Sequence, residues 1–153
     1  MVADLLLDAN VFMYAAGGEH PYRDSCRSVI RALARDDGRL GDRVACIDTE
    51  LLQEVAYRYV SIGKAAVGRD LQASILRLDL PFLPVDEPAA RTFLDLQRTH
   101  APDLDRRQVS VRDLRRLAVM VRHGIPAILT ADRDFDRFPG IERTDPREVT
   151  PAS

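Results

Sequence analysis

Lysine is nearly missing from this chain: Lys64 is the only one, and every other fixed side-chain cation is an arginine. The formal net charge is −2, so there is no global basic footprint of the kind many nucleic-acid binders carry. Arginine suits bidentate phosphate contacts. It is also what a GC-rich coding sequence supplies by default, so charge alone does not decide for or against RNA. Cysteine is equally scarce. Cys26 and Cys46 form no CxxC or other metal-ligand spacing, which leaves two buried, reduced thiols in a cytosolic protein as the expectation. The longest uncharged run near the start, residues 9–18, is too short to span a bilayer. No basic segment precedes an apolar stretch, and Asp4 and Asp8 interrupt the first candidate, so no secretory leader is expected and the location is expected to be cytoplasmic. Long polar tracts, low-complexity segments and internal repeats are absent too, which argues against a disordered or repetitive chain.

What is present fits one domain. A chain of 153 residues can bury a real core, and the expected division is a domain over residues 1–147 with a tail over 148–153. Leu5-Leu6-Leu7 is a short apolar run without alternation, as in a strand buried on both faces. Residues 17–21 read as a loop. From 22 to 36, Cys26, Val29, Ile30 and Leu33 recur at helical spacing, and Gly38 and Gly41 close that helix. Residues 44–47 are a second short strand, after which Asp48 or Thr49 can cap a helix carrying Leu51, Leu52, Val55 and Tyr59. Gly63 ends it, and another helix fits 65–78. Residues 80–85, with two prolines, read as an edge strand or extended segment. Asp86-Glu87-Pro88 opens the next helix, and 100–108 is polar and loop-like. Ser110-Val111-Arg112-Asp113 has a capping-box pattern ahead of a helix that Gly124 stops. Residues 127–130 are another buried strand, and 131–138 reads as a charged loop. Short apolar strands alternating with amphipathic helices predict an α/β domain, a central mostly parallel sheet flanked by helices.

In such a sheet, ligands bind outside the carboxyl ends of the strands. Asp8 directly follows the first strand, and Asp132 follows the 127–130 strand. Asp113 lies in the first turn of one helix and Glu54 early in another. Each acid also has a plainer role: Asp8 in a strand-to-loop turn, Glu54 as a solvated helix residue with Glu50 as competitor, Asp113 as a capping-box partner. Asp132 shares its loop with Asp134 and Asp136. Converging carboxylates repel each other, so removing one charge at Asp8 or Asp113 is expected to stabilise the metal-free fold. A divalent cation lifts that penalty, and hard oxygen ligands suit Mg²⁺ or Mn²⁺.

The residues around these acids carry a resemblance. Leu6-Leu7-Asp8-Ala9-Asn10-Val11-Phe12 resembles the opening motif of PIN domains, an apolar strand ending in Asp-x-Asn. Residues 47–54, followed by Val55-Ala56-Tyr57, are similar to the second motif, which favours Glu54 over Glu50. Ser110-Val111-Arg112-Asp113-Leu114, with His123-Gly124-Ile125-Pro126 further on, resembles the third. Ile128-Leu129-Thr130-Ala131-Asp132-Arg133-Asp134-Phe135 resembles the fourth, where the acid after Thr-x is the matching one. Small single-domain members of this kind are VapC-like toxin ribonucleases of type II toxin–antitoxin modules. The resemblance implies a Mg²⁺- or Mn²⁺-dependent endoribonuclease with Asp8, Glu54, Asp113 and Asp132 as catalytic acids. Asp8, Asp113 and Asp132 would bind the metal, and Glu54 would complete the shell or orient water. It also implies RNA as substrate, a homodimer, and a cognate antitoxin occupying the active-site groove.

Accessory positions are less determined. Asn10 and Thr130 could position ligands or simply shape a turn and a strand end. Asp134 is the substitute for Asp132. Arg116, three residues after Asp113 on the same helix face, stands where family members often have His or an apolar residue; it could contact phosphate or pair with an acid. A haloacid-dehalogenase-type phosphatase also places an Asp after its first strand, but wants a second Asp where Asn10 stands, and a lysine. A non-catalytic receiver-like module wants an early acidic pair and a late lysine. A degenerate PIN-derived binding module would be expected to have lost one acid, whereas all four are present.

Overall fold

The computed structural model describes residues 2–149. The expected tail falls at 150–153 outside the described residues, while Val149 packs against the core. Leu5–Leu7 forms β1, the middle strand of the sheet. It pairs in parallel with β3 (Arg43–Asp48) on one side and with β5 (Ala127–Leu129) on the other. Beyond β5 lies β6 (Glu142–Thr144), also parallel. On the far side of β3 lie β2 (Arg39–Leu40), antiparallel, and β4 (Phe82–Leu83), parallel. The sheet is therefore six-stranded and mostly parallel among the described residues, as the uninterrupted apolar strands predict.

The pleat of β1 divides the core. Leu5 and Leu7 face one apolar cluster with Val11, Phe12, Val29 and Leu33. Leu6 faces a second with Leu114, Leu117, Met120 and Phe135. The first cluster is roofed by α1 (Ala9–Ala16), α2 (Arg23–Arg35), α3 (Leu51–Ser61) and α4 (Ala65–Arg77). The second is covered by α5 (Glu87–Thr99), α6 (Ala101–Asp105) and α7 (Val111–His123). Helices thus cover both faces, and β1 sits where successive connections leave to opposite sides. That switch point is where α/β sheets hold ligands.

Local chemistry explains the boundaries. Ser110 caps α7 by accepting the Asp113 N–H, and Gly124 closes it at φ 68°. Asp86 caps α5 in the same way through Ala89. Gly68 on α4 is buried against α3, where an added Cβ would stand 2.7 Å from that of Tyr59. Five places differ from the sequence reading. Arg39–Leu40, between the two glycines expected only to close a helix, forms β2. Residues 9–16, given no element, form α1. The segment 100–108 is not wholly loop but contains the short α6. Arg133–Arg137 is a 3-10 helix that buries Phe135. The Glu142-Arg143-Thr144 stretch, too polar and short to announce itself, adds an edge strand. Both cysteines are free and buried, as expected, and burial pushes each thiol up to about 12. Among the described residues, no helix is long and apolar enough to cross a membrane.

Candidate metal centre

The carboxyl ends of β1, β3 and β5 deliver Asp8, Asp48 and Thr130 to one edge of the sheet. Asp8 stands at the N-cap position of α1 but makes no side-chain cap bond. Its carboxylate points elsewhere. Oδ2 accepts from Thr130 Oγ1 at 2.7 Å and from Asn10 Nδ2 at 3.3 Å. Oδ1 pairs with Arg116 Nη1 at 2.9 Å. Thr130 Oγ1 also accepts from Asn10 Nδ2 and from the Asp132 N–H, at 3.1 and 3.0 Å. Asn10 and Thr130 thus act together: they fix the Asp8 carboxylate and the start of the Asp132 loop.

Asp8, Asn10, Glu54, Asp113, Asp132 and Asp134 line one cleft of about 280 Å³. Within it, ligating oxygens of Asp113, Asp132 and Asp134 lie within 4.8 Å of one another. Asp8 is outside that close trio, although its charge acts on both Asp113 and Asp132. The ambiguity in the Asp132-Arg133-Asp134-Phe135-Asp136 segment is thereby narrowed. Asp134 turns in with Asp132, its N–H bonded to Asp132 Oδ1 at 2.9 Å, while Asp136 is drawn outward by Arg143 at 2.8 Å.

The acids fall into two electrostatic zones. In the first, no arginine, lysine or histidine forms an ion pair with Asp113, Asp132 or Asp134 among the described residues. Burial, then Asp132 and Asp8, push Asp113 up to about 6. Burial, then Asp134 and Asp8, raise Asp132 as well. Arg116 and Arg143 offset this only in part and from beyond ion-pair distance, and the chemistry of such a set of hard oxygen donors fits a divalent cation such as Mg²⁺ or Mn²⁺. In the second zone, Glu54 Oε1 meets Arg116 Nη2 at 2.7 Å and is bonded also by Arg115. Burial would raise Glu54, but the two guanidinium groups, Arg116 foremost, hold it below the usual range. Arg116 Nε stands 3.7 Å from Asp48 Oδ2. Arg116 is 1% exposed, and Asp48 is wholly buried.

Sequence reasoning missed Asp48 and Arg115 as members of this edge. The sequence marks Asp48 only as a candidate helix cap, and its Oδ1 does accept the Glu50 N–H at 2.8 Å. Its place at the end of β3, equivalent to that of Asp8 at the end of β1, was a usable signal. Arg115 carried none in a chain so rich in arginine. Glu50, the competitor of Glu54, does not line the cleft, and neither does Lys64.

Comparison with known proteins agrees with this architecture. Residues 5–141 match the PIN domain family. Ribonuclease VapC13 of Mycobacterium tuberculosis is 33% identical over 140 residues, covering 91% of this chain and 98% of that protein. Ribonuclease VapC23 of the same species is 30% identical over 128 residues, covering 84% and 92%. Among solved structures, the DNA-bound VapBC from Salmonella typhimurium superposes with a TM-score of 0.69 at 18% identity, covering 95% of this chain and 99% of that one. VapC20 of Mycobacterium tuberculosis, described as a sarcin-ricin loop cleaving toxin, gives 0.69 at 14% identity, covering 91% and 98%. At such identities these two speak for the fold. With the family match spanning most of the chain, this protein belongs to the PIN-domain family, as a VapC-like member.

Proposed function

We propose that this chain is a divalent-metal-dependent endoribonuclease and the toxin of a type II toxin–antitoxin pair. The observation that carries the reading is the convergence of Asp113, Asp132 and Asp134, uncompensated by any ion pair, beside a rigidly held Asp8. The VapC names of the relatives support RNA as substrate, and the VapBC neighbours support a cognate antitoxin as partner. A homodimer working in the cytoplasm completes the reading.

A bound Mg²⁺ or Mn²⁺ supplies Lewis acidity toward a phosphodiester and an acidified water. Asp113, Asp132 and Asp134 would hold it, and Asp8 and Glu54 face the same cleft. Thr130 and Asn10 keep the Asp8 carboxylate from turning away. Glu54, with its pKa held down by two guanidinium groups, is a weak base. Its role in this reading is to hold Arg115 and Arg116 rather than to take a proton. A groove of about 380 Å³ runs on from the cleft past Glu54, with exposed Arg58, Arg112 and Tyr57 on its walls. Arginines there meet the flanking phosphates, and the Tyr57 ring, 73% exposed, offers a face for a base.

The test uses purified chain, free of partner, with single-stranded RNA and Mg²⁺ or Mn²⁺. Asp132→Asn is the suitable control, because an amide oxygen can still accept the Asp134 N–H. Wild type should cut, EDTA should stop it, and Asp132→Asn should lose most activity while keeping its fold. Equal cleavage by both chains, or none by wild type, would refute the reading.

A further inference from the structure

Arg116 does more than neutralise one neighbour. It rises from α7, on one side of the sheet, and reaches Glu54 on α3, on the other, with Asp8 and Asp48 at strand ends between them. Its two terminal nitrogens are committed at 2.9 Å to Asp8 and 2.7 Å to Glu54. Its Nε and the Asp48 Oδ2 3.7 Å away face each other as an ion pair, and neither atom has a hydrogen-bond partner. At 1% exposure the guanidinium is buried at the floor of the cleft it lines. Arginine does not surrender its charge by losing a proton, as a lysine or histidine would.

The distribution of charge is therefore lopsided by construction. Asp8, Asp48 and Glu54 share Arg115 and Arg116 as ion-pair partners, whereas among the described residues Asp113, Asp132 and Asp134 form no ion pair, and Arg116 and Arg143 act on Asp113 and Asp132 only from a distance. Two-metal phosphodiesterases place their ions roughly 3.5–4 Å apart, clamping both sides of the displacement. A second ion on the Asp8–Glu54 side would need the carboxylate oxygens that Arg116 already occupies. We propose that Arg116 is a resident cation standing where a second metal ion would otherwise sit, so that each chain binds a single divalent ion at the Asp113–Asp132–Asp134 end. Arg116 is then a positioning residue: it holds Asp8 and Glu54 and bars the second site. This inference rests on the metal-dependent reading of the same cleft.

Mn²⁺ binding measured by calorimetry and by equilibrium dialysis tests it without recourse to activity. Wild type should bind one Mn²⁺ per chain, and Asp132→Asn should weaken that binding. Arg116→Gln keeps a polar stem but removes the charge; it should bind a second Mn²⁺ and show a larger Mn²⁺-induced rise in melting temperature than wild type. Arg116→Lys, which keeps the charge, should return to one. Two ions of comparable affinity in wild type would overturn the proposal, as would Arg116→Gln binding one ion with wild-type affinity. If Arg116→Gln fails to fold, the wild-type and Arg116→Lys stoichiometries still decide. Wild type binding no Mn²⁺ at all would instead overturn the metal reading beneath it.

Discussion

Asp113 is the acid whose charge the fold tolerates least, and Asp113→Asn should make the metal-free protein more stable. Burial and the neighbouring Asp132 and Asp8 move its pKa from an ordinary 3.8 to about 6. At ~1.36 kcal/mol per pH unit, the ionised carboxylate costs the fold up to about 3 kcal/mol at neutral pH. Part of that is burial, which an amide also feels, so roughly 1–2 kcal/mol should be recovered, a rise of about 2–8 °C in melting temperature for a chain of this size. The sign follows from proton linkage. The folded pKa lies above the unfolded one, so the folded state holds the proton longer. The penalty is absent below the unfolded value, grows between 3.8 and about 6, and is complete above that. Melting in EDTA near pH ~7.5 should therefore favour Asp113→Asn, and the gain should fade toward pH ~4. Added Mn²⁺ should reverse the order by stabilising wild type. No gain near pH ~7.5, or an equal gain at both pH values, would show that Asp113 is not under charge strain. Asp8→Asn should go the other way. It takes the partner from a buried guanidinium at 2.9 Å, so the structure supports the expected relief at Asp113 and argues against it at Asp8.

Two other perturbations address the frame and the groove. Gly68→Ala would place a methyl 2.7 Å from Tyr59 Cβ; overpacking of about 1–3 kcal/mol should outweigh the ~1 kcal/mol gain in helix propensity and lower the melting temperature, whereas an unchanged or raised value would mean α3 and α4 are not so close. In an Asp132→Asn background, fluorescence anisotropy with labelled single-stranded RNA should show Tyr57→Ala weakening binding by ~1–3 kcal/mol. Arg112→Ala should flatten the salt dependence by ~0.7 of a log unit per log unit of salt. Affinity unmoved by either change would remove the groove from the RNA path.

The family likeness in four short motifs pointed to the acids, and local signals placed most of them. An apolar run that ends in an aspartate marks a strand end, so Asp8 and Asp132 could be put at the sheet edge without coordinates. The Ser110–Asp113 cap and Gly124 stop bounded α7 in the same way. These features depend on neighbours within one turn or one strand, and such information is written into consecutive residues. Among the elements that went unread, α1 and β6 lack it: α1 is almost uniformly apolar, and β6 is short and polar; β2, α6 and the 3-10 helix are only two to five residues long.

Which charges meet was decided by tertiary structure alone. Arg116 lies 62 residues from Glu54 in the chain, and helical periodicity says only that it shares a face with Asp113. Packing α3 and α7 against opposite sides of one sheet is what brings that guanidinium to Glu54, Asp8 and Asp48 at once. Arg143, on an edge strand the sequence hid, draws Asp136 outward. The sequence by itself determined the kind of sheet and the acids at its edge. Their division into a paired half and an uncompensated half came only with the fold, because ion pairing depends on distance in space, and no local pattern records that.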